Sequence, residues 1–243
     1  MKHYIYICSF VILLAASSCD KLLDKEPTSQ VSPEKYLNDA SQLGYYANGL
    51  YTNILPSHSG YSLTFVKDQY TDNQAYITPH PIYIKDSWTV PANDSWNFKN
   101  IYDCNYFLER VLPRYEKGEV SGSTTEICQY IGEVLFLRAY EYFDLYQNYG
   151  DLPIVTNTLP DDQTVLTEAS KRFPRNEVAR FILSDLDKAL EMMPEQFESR
   201  HTRINRNCVL LLKSRVALYE GTFLKYFKGT PFVPQGEGWP GAQ

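Results

Sequence analysis

Basic charge is what this sequence has least of. Lys and Arg number 23 against 29 Asp and Glu, for a formal net charge of −6, and they gather into no cluster. An acidic chain without a basic patch is not built for nucleic acid, nor for a polybasic hold on a membrane surface. Cysteine is scarce too. There are five, with no CxxC pair, and Cys104, Cys128 and Cys208 form an odd, widely spaced set within the body of the chain. That excludes zinc-ribbon and CxxC redox chemistry and predicts buried free thiols packed as small hydrophobes, with at most one disulfide. The four His form no HExxH, and neither GxSxG nor a Gly-rich phosphate loop occurs. His58, His80 and His201 stand in expected loops. Asp161 and Asp162 are adjacent in a polar loop, whereas glycosidase carboxylates face each other across a cleft. No catalytic residue, metal ligand or cofactor is therefore expected, and the chain reads as a binding protein rather than an enzyme.

Long apolar runs are missing except at the start. Lys2 and His3 precede an almost unbroken apolar stretch from Ile5 to Ala16, followed by Ser17, Ser18 and Cys19. A charged start, a short apolar core and a small-residue exit are the three parts of a secretory signal peptide. The run is too short to span a bilayer, which takes about 20 apolar residues. Cysteine directly after the small residues is similar to the bacterial lipobox, although Ala16 stands where leucine is usual. Residues 1–18 are thus expected to leave as a signal peptide and Cys19 to carry lipid; the rival is plain secretion. Their loss removes Lys2 and makes the chain more acidic. Residues 19–33 are polar and broken by Pro27 and Pro33, and read as a tether.

Between 34 and 228 the apolar spacing is helical. Ser32 and Pro33 suit a helix start, and Tyr36 to Leu50 carry the first helix to about Tyr51. Pro56, Gly60, Pro79, Pro81 and Pro91 make residues 52–93 a long loop. A second helix is expected from Asp94 to Leu112, stopped by Pro113. The clearest runs from Glu126 to Tyr149, closed by Gly150 and Pro153, with Leu152 to Val155 as a short extended piece. A fourth spans about Asn176 to Met193, before Pro194. The fifth, about Asn207 to Tyr226, is apolar on more than half its circumference and is expected in a central, well-buried seat. Residues 229–243 hold four Gly and three Pro, a tail that cannot be helix. Helices in pairs joined by turns predict an all-α fold, a tetratricopeptide-like helical repeat body with long irregular loops.

Three blocks within these helices are informative together. The first is Gly132-Glu133-Val134-Leu135-Phe136-Leu137-Arg138-Ala139-Tyr140 through Tyr149-Gly150-Asp151-Leu152-Pro153. The second runs from Pro174-Arg175-Asn176-Glu177-Val178 through Asp185-Leu186-Asp187-Lys188-Ala189 to Met193-Pro194, and the third is Leu211 to Gly221. With the start Cys19 to Pro27, they resemble the SusD-like (RagB/SusD) outer-membrane lipoproteins of Bacteroidetes. The resemblance implies a tetratricopeptide-like body held at the cell surface beside a SusC-like TonB-dependent transporter. It also implies capture of glycans, or in some branches peptides, for uptake. Members of that family are considerably longer, so it implies further that this chain is the N-terminal portion, cut short at its C-terminus. Two other outcomes stay open: a helical scaffold that docks on the transporter without binding ligand, and a fragment without function.

Sugar rings offer flat apolar C–H faces edged by hydroxyls, so a glycan site needs an aromatic platform with Asp, Asn or Arg at its edges. Residues 68–100 have that chemistry on irregular chain, where binding residues concentrate. Trp88 or Trp96 is the expected platform, with Asp72 and Asn73 as edge partners; the competing reading packs both tryptophans onto the helices. Most of the 20 tyrosines fall at helical spacing and are expected in the core, with hydroxyls at its rim. Arg138 interrupts an apolar face and is expected to pair internally with Asp144 or Glu133.

Overall fold

The structure, a computed structural model, describes residues 36–56, 83–87, 89, 97–197 and 202–233. The chain divides into two units, Met1–Tyr36 and Leu37–Gln243; of the first only Tyr36 is described. The second is built from α1 (Ala40–Ile54), α2 (Lys99–Glu116), α3 (Thr124–Tyr149), α4 (Gln163–Ala169), α5 (Arg175–Met192) and α6 (Arg206–Phe227). Among the described residues there is no strand, only isolated bridges, and no helix is long and apolar enough to cross a membrane.

Local chemistry sets most helix ends. α1 starts at Ala40, because Asp39 caps it by accepting from the Gln42 N–H at 3.0 Å, and the Gln42 side chain accepts in return from the Asn38 N–H at 3.0 Å. Upstream, Leu37 has φ +62°, a left-handed conformation that a continuing right-handed helix does not allow. The expected start at Ser32 and Pro33 lies outside the described residues. α2 runs one turn past its expected stop. Pro113 removes only its own N–H donor, while its carbonyl still accepts from Lys117. α3 ends where expected, with Gly150 at φ +71° donating its N–H to the Tyr146 carbonyl. The Asp161-Asp162 loop contains a helix not expected from its polarity: Asp162 caps α4 by accepting from the Val165 N–H at 2.9 Å, and α4 buries nothing.

α3 occupies the centre. α1, α2 and α5 pack around it, and α6 lies mainly on α5. Fifteen of its residues are buried, against four of α6. The central seat expected for the last helix therefore belongs to α3. On α6 only Val209, Leu212, Val216 and Glu220 are buried, whereas Leu211 is 73% and Leu218 71% exposed. An apolar circumference sets how much surface a helix can bury, not which neighbours are there to bury it. Close approach of α3 to the end of α5 depends on Gly132. A Cβ there would lie 2.5 Å from Met193 Cγ and 3.2 Å from the Ala189 carbonyl oxygen. Cys104, Cys128 and Cys208 are free thiols, as expected, but only Cys104 is buried; Cys128 and Cys208 are half-buried.

Polar side chains fasten the stack at three levels. Arg138 of α3 meets Asp185 of α5 through two bonds of 2.7 and 2.8 Å, both side chains buried. Arg175 of α5 meets Glu220 of α6 at 3.0 and 3.1 Å and lies 3.3 Å over the Phe223 ring; Tyr146 of α3 donates to the same carboxylate. Glu133 of α3 pairs with Arg203 and accepts from Gln129. Asp144 and Glu133, the partners expected for Arg138, are thus corrected to Asp185, which is far away in sequence and adjacent only after packing.

Candidate functional site

The first turns of α2 bring Phe98, Lys99, Ile101, Tyr102 and Asn105 to one side of a cleft of about 430 Å³. Opposite stand Pro153, Val155, Asn157 and Leu159 from the connection after α3, and Leu166, Ala169 and Ser170 from the end of α4. That volume falls within the range usual for small-ligand pockets, about 300–1,000 Å³.

The wall made by the 153–159 connection is held by side chains whose bonding capacity is already committed. Asn105 donates to the Val155 carbonyl at 2.9 Å and accepts from Arg138 at 2.8 Å. The buried Tyr142 hydroxyl accepts from the Val155 N–H at 2.8 Å and donates to its carbonyl at 3.2 Å. Burial pushes the Tyr142 phenol up to about 12, so it stays protonated and able to donate. Thr158 donates from both its N–H and its hydroxyl to Glu109, at 2.8 and 2.6 Å. Those two bonds hold the Glu109 carboxyl below the usual carboxylate range. Connecting chain of this length would otherwise be mobile.

The opposite wall is aromatic. Phe98 sits edge-on to Tyr142, ring centroids 6.2 Å apart, and Tyr142 is edge-on to Phe181 at 4.9 Å. Tyr102 is 48% exposed at the mouth. Lys99 is held by Asp103 at 2.6 Å. Two rings and aliphatic side chains, edged by Asn157, Ser170 and Lys99, suit a ligand with a flat apolar face and a hydroxylated rim. Among the described residues no group of three His, Cys, Asp or Glu is placed to hold a metal ion.

Asp72, Asn73, Trp88 and Trp96, the ligand residues expected from sequence, lie outside the described residues, as does Cys19. Phe98 and Tyr102 were not among them. Their signal was the i, i+4 aromatic spacing at the start of α2, which reads equally well as core. The other wall was not expected as a site: Leu152 to Val155 read as a short extended piece and Asp161-Asp162 as a polar loop, and neither pattern points to a ligand.

The family model described as "Starch-binding associating with outer membrane" matches residues 21–218, which includes every residue lining the cleft. The chain belongs to the SusD-like family. Two SusD-like proteins of Formosa agariphila are 26% and 25% identical to it over 227 and 248 residues, covering 87% and 98% of this chain but 42% and 47% of their own lengths. A solved SusD-like protein of Bacteroides fragilis is 25% identical with a TM-score of 0.53, covering 86% of this chain and 40% of that one. A second from that species, a SusD-like carbohydrate-binding protein, has a TM-score of 0.56 at 18% identity and shares the fold, covering 77% of this chain and 38% of its own. The chain thus spans about half or less of the length of the relatives it matches. Within it, several of the residues that join the helices fall in the SusD-like blocks: Gly132 and Arg138 in the first, Arg175, Asp185 and Met193 in the second, Glu220 in the third.

Proposed function

We propose that this SusD-like chain is the glycan-binding helical part of an exported outer-membrane lipoprotein. In this reading residues 1–18 are removed, Cys19 becomes the acylated terminus, and residues 19–33 tether residues 34–228 at the cell surface. More than one acyl chain makes such an anchor durable, since each buried methylene adds about 0.8 kcal/mol of membrane affinity. Its partner is a SusC-like TonB-dependent transporter, to which the bound oligosaccharide is delivered. The role is capture, not catalysis.

The observation that carries this is the family match across residues 21–218, with its outer-membrane, starch-binding description. The cleft supports it with an aromatic wall, a hydroxyl-compatible rim and a rigid opposite wall. Calorimetric titration with neutral oligosaccharides tests it. Tyr102→Ala is expected to weaken binding about tenfold without lowering the melting temperature. Indifference to every oligosaccharide tested would reject glycan capture. Palmitate labelling that survives Cys19→Ser would reject the anchor, and failure to co-purify with the neighbouring transporter would reject the partnership.

A further inference from the structure

At the other end of α3 lies a second, more polar groove of about 650 Å³. It is lined by Glu126 and Tyr130 of α3 and by Gln196, Phe197, Thr202 and Arg203 of the connection between α5 and α6. Tyr130 and Tyr142, which backs the first cleft, are twelve residues apart on α3, about 18 Å at the α-helical rise. The two sites are therefore separate.

Tyr130 is half-buried, and its ring is fixed on three sides. A Cβ on Gly44 would lie 2.9 Å from the ring, so α1 leaves room for it only with glycine at that position. Phe197 meets it edge-on at 6.3 Å. The Arg203 guanidinium lies 4.9 Å from its centroid and is itself pinned by the buried Glu133 carboxylate and by Asn48 at 2.7 Å. An aromatic surface held this firmly by a rigid helix and its supports is pre-organised for stacking. Glu126, one turn earlier on the same helix, joins Gln196 and Thr202 to supply hydrogen-bonding groups around the rings.

Charge narrows the ligand. Arg203 is neutralised by Glu133, so among the described lining residues Glu126 is the charge left over, and its carboxylate disfavours an anion beside it. We infer that this groove is a second carbohydrate-binding site, taking a neutral sugar unit of the same or another chain. The inference rests on the glycan-binding reading above and adds to it a site on the opposite end of the body. Two sites on one rigid body raise the apparent affinity for a polysaccharide long enough to reach both.

The test is calorimetry of the full chain with neutral hexasaccharides of glucose, xylose and mannose, and with oligogalacturonate as the anionic control. Two equivalents of a neutral hexasaccharide per chain are expected. Phe197→Ala should weaken one of them about tenfold, and the milder Glu126→Gln and Thr202→Val should weaken the same one while melting at the wild-type temperature. Tyr102→Ala should spare it. One equivalent, lost in Tyr102→Ala and untouched by all three groove variants, overturns the second site and leaves glycan capture standing. A preference for oligogalacturonate in the groove also overturns it. No binding of any oligosaccharide overturns both readings. Binding abolished by Phe197→Ala but indifferent to Tyr102→Ala upholds the groove and removes the first cleft from the account.

Discussion

Asp185→Ala should be among the most damaging single substitutions in the helical body. Asp185 is wholly buried, and both its carboxylate oxygens accept from Arg138, at 2.7 and 2.8 Å. Truncation leaves a guanidinium only 6% exposed with Asn105 as its one remaining partner on that face. Breaking one side of a buried pair costs about 3–5 kcal/mol, because the surviving charge has no water to return to. For a domain near 200 residues each kcal/mol lowers Tm by about 2–4 °C, so the expected fall is roughly 6–20 °C. Replacing both partners, Arg138→Met with Asp185→Leu, should recover most of the loss, since apolar packing of similar volume is often neutral or better. Urea unfolding followed by circular dichroism, run as a double-mutant cycle, measures this. The pair also grips Asn105, whose amide holds the Val155 carbonyl, so Asp185→Ala should weaken oligosaccharide binding at temperatures where the variant is still folded. A loss below about 1 kcal/mol, the size of a surface pair, would refute the reasoning, as would a double variant that loses the sum of the two singles.

Gly132→Ala should destabilise by about 1–3 kcal/mol through overpacking against Met193. In a Met193→Ala background most of that cost should disappear, leaving the tight approach to the Ala189 carbonyl oxygen set against the better helix propensity of alanine; urea midpoints decide. Glu109 has a folded pKa below its unfolded value, so its contribution to stability is present above the unfolded pKa and is lost as pH falls through the folded one. Thr158→Val should shift that carboxyl upward in an NMR titration and flatten the acid side of the stability profile, by a small amount since Glu109 is largely solvated. Burial pushes the Cys104 thiol well up. Mass spectrometry after thiol labelling at pH 8 should find Cys104 modified only on unfolding, after Cys128 and Cys208; equal rates would show that α2 opens readily.

How much was legible varies by element for physical reasons. α3 and α5 were read to within two residues, because apolar spacing of three or four is a local property and Gly150 and Pro194 mark their C-terminal ends. α4 was missed because a short helix that buries nothing has no apolar periodicity to read. Pro113 misled because a proline inside a helix removes only its own N–H donor, and here the helix runs on through it for one more turn. The partner of Arg138 was sought within a few residues of sequence, where side chains on one helix meet, and was found on another helix. Of the site, residue types suggested aromatic platforms with polar edges. The candidates Asp72, Asn73, Trp88 and Trp96 fall outside the described residues; the rings that line the two described grooves are Phe98 and Tyr102, and Tyr130 and Phe197.

By itself the sequence determined what is local and additive: an acidic, helix-forming chain without metal-binding spacing, a signal-like start, and three blocks of family likeness. Helix ends, amphipathic spacing and charge depend on near neighbours, so they can be read from the order of residues. Tertiary structure alone decided which helix lies at the centre, which of several carboxylates neutralises each buried arginine, and where irregular chain closes over a helix end to leave a groove. Those are properties of residues that meet across tens of positions. They are set by which surfaces find a partner to bury against, and no spacing along the chain contains that.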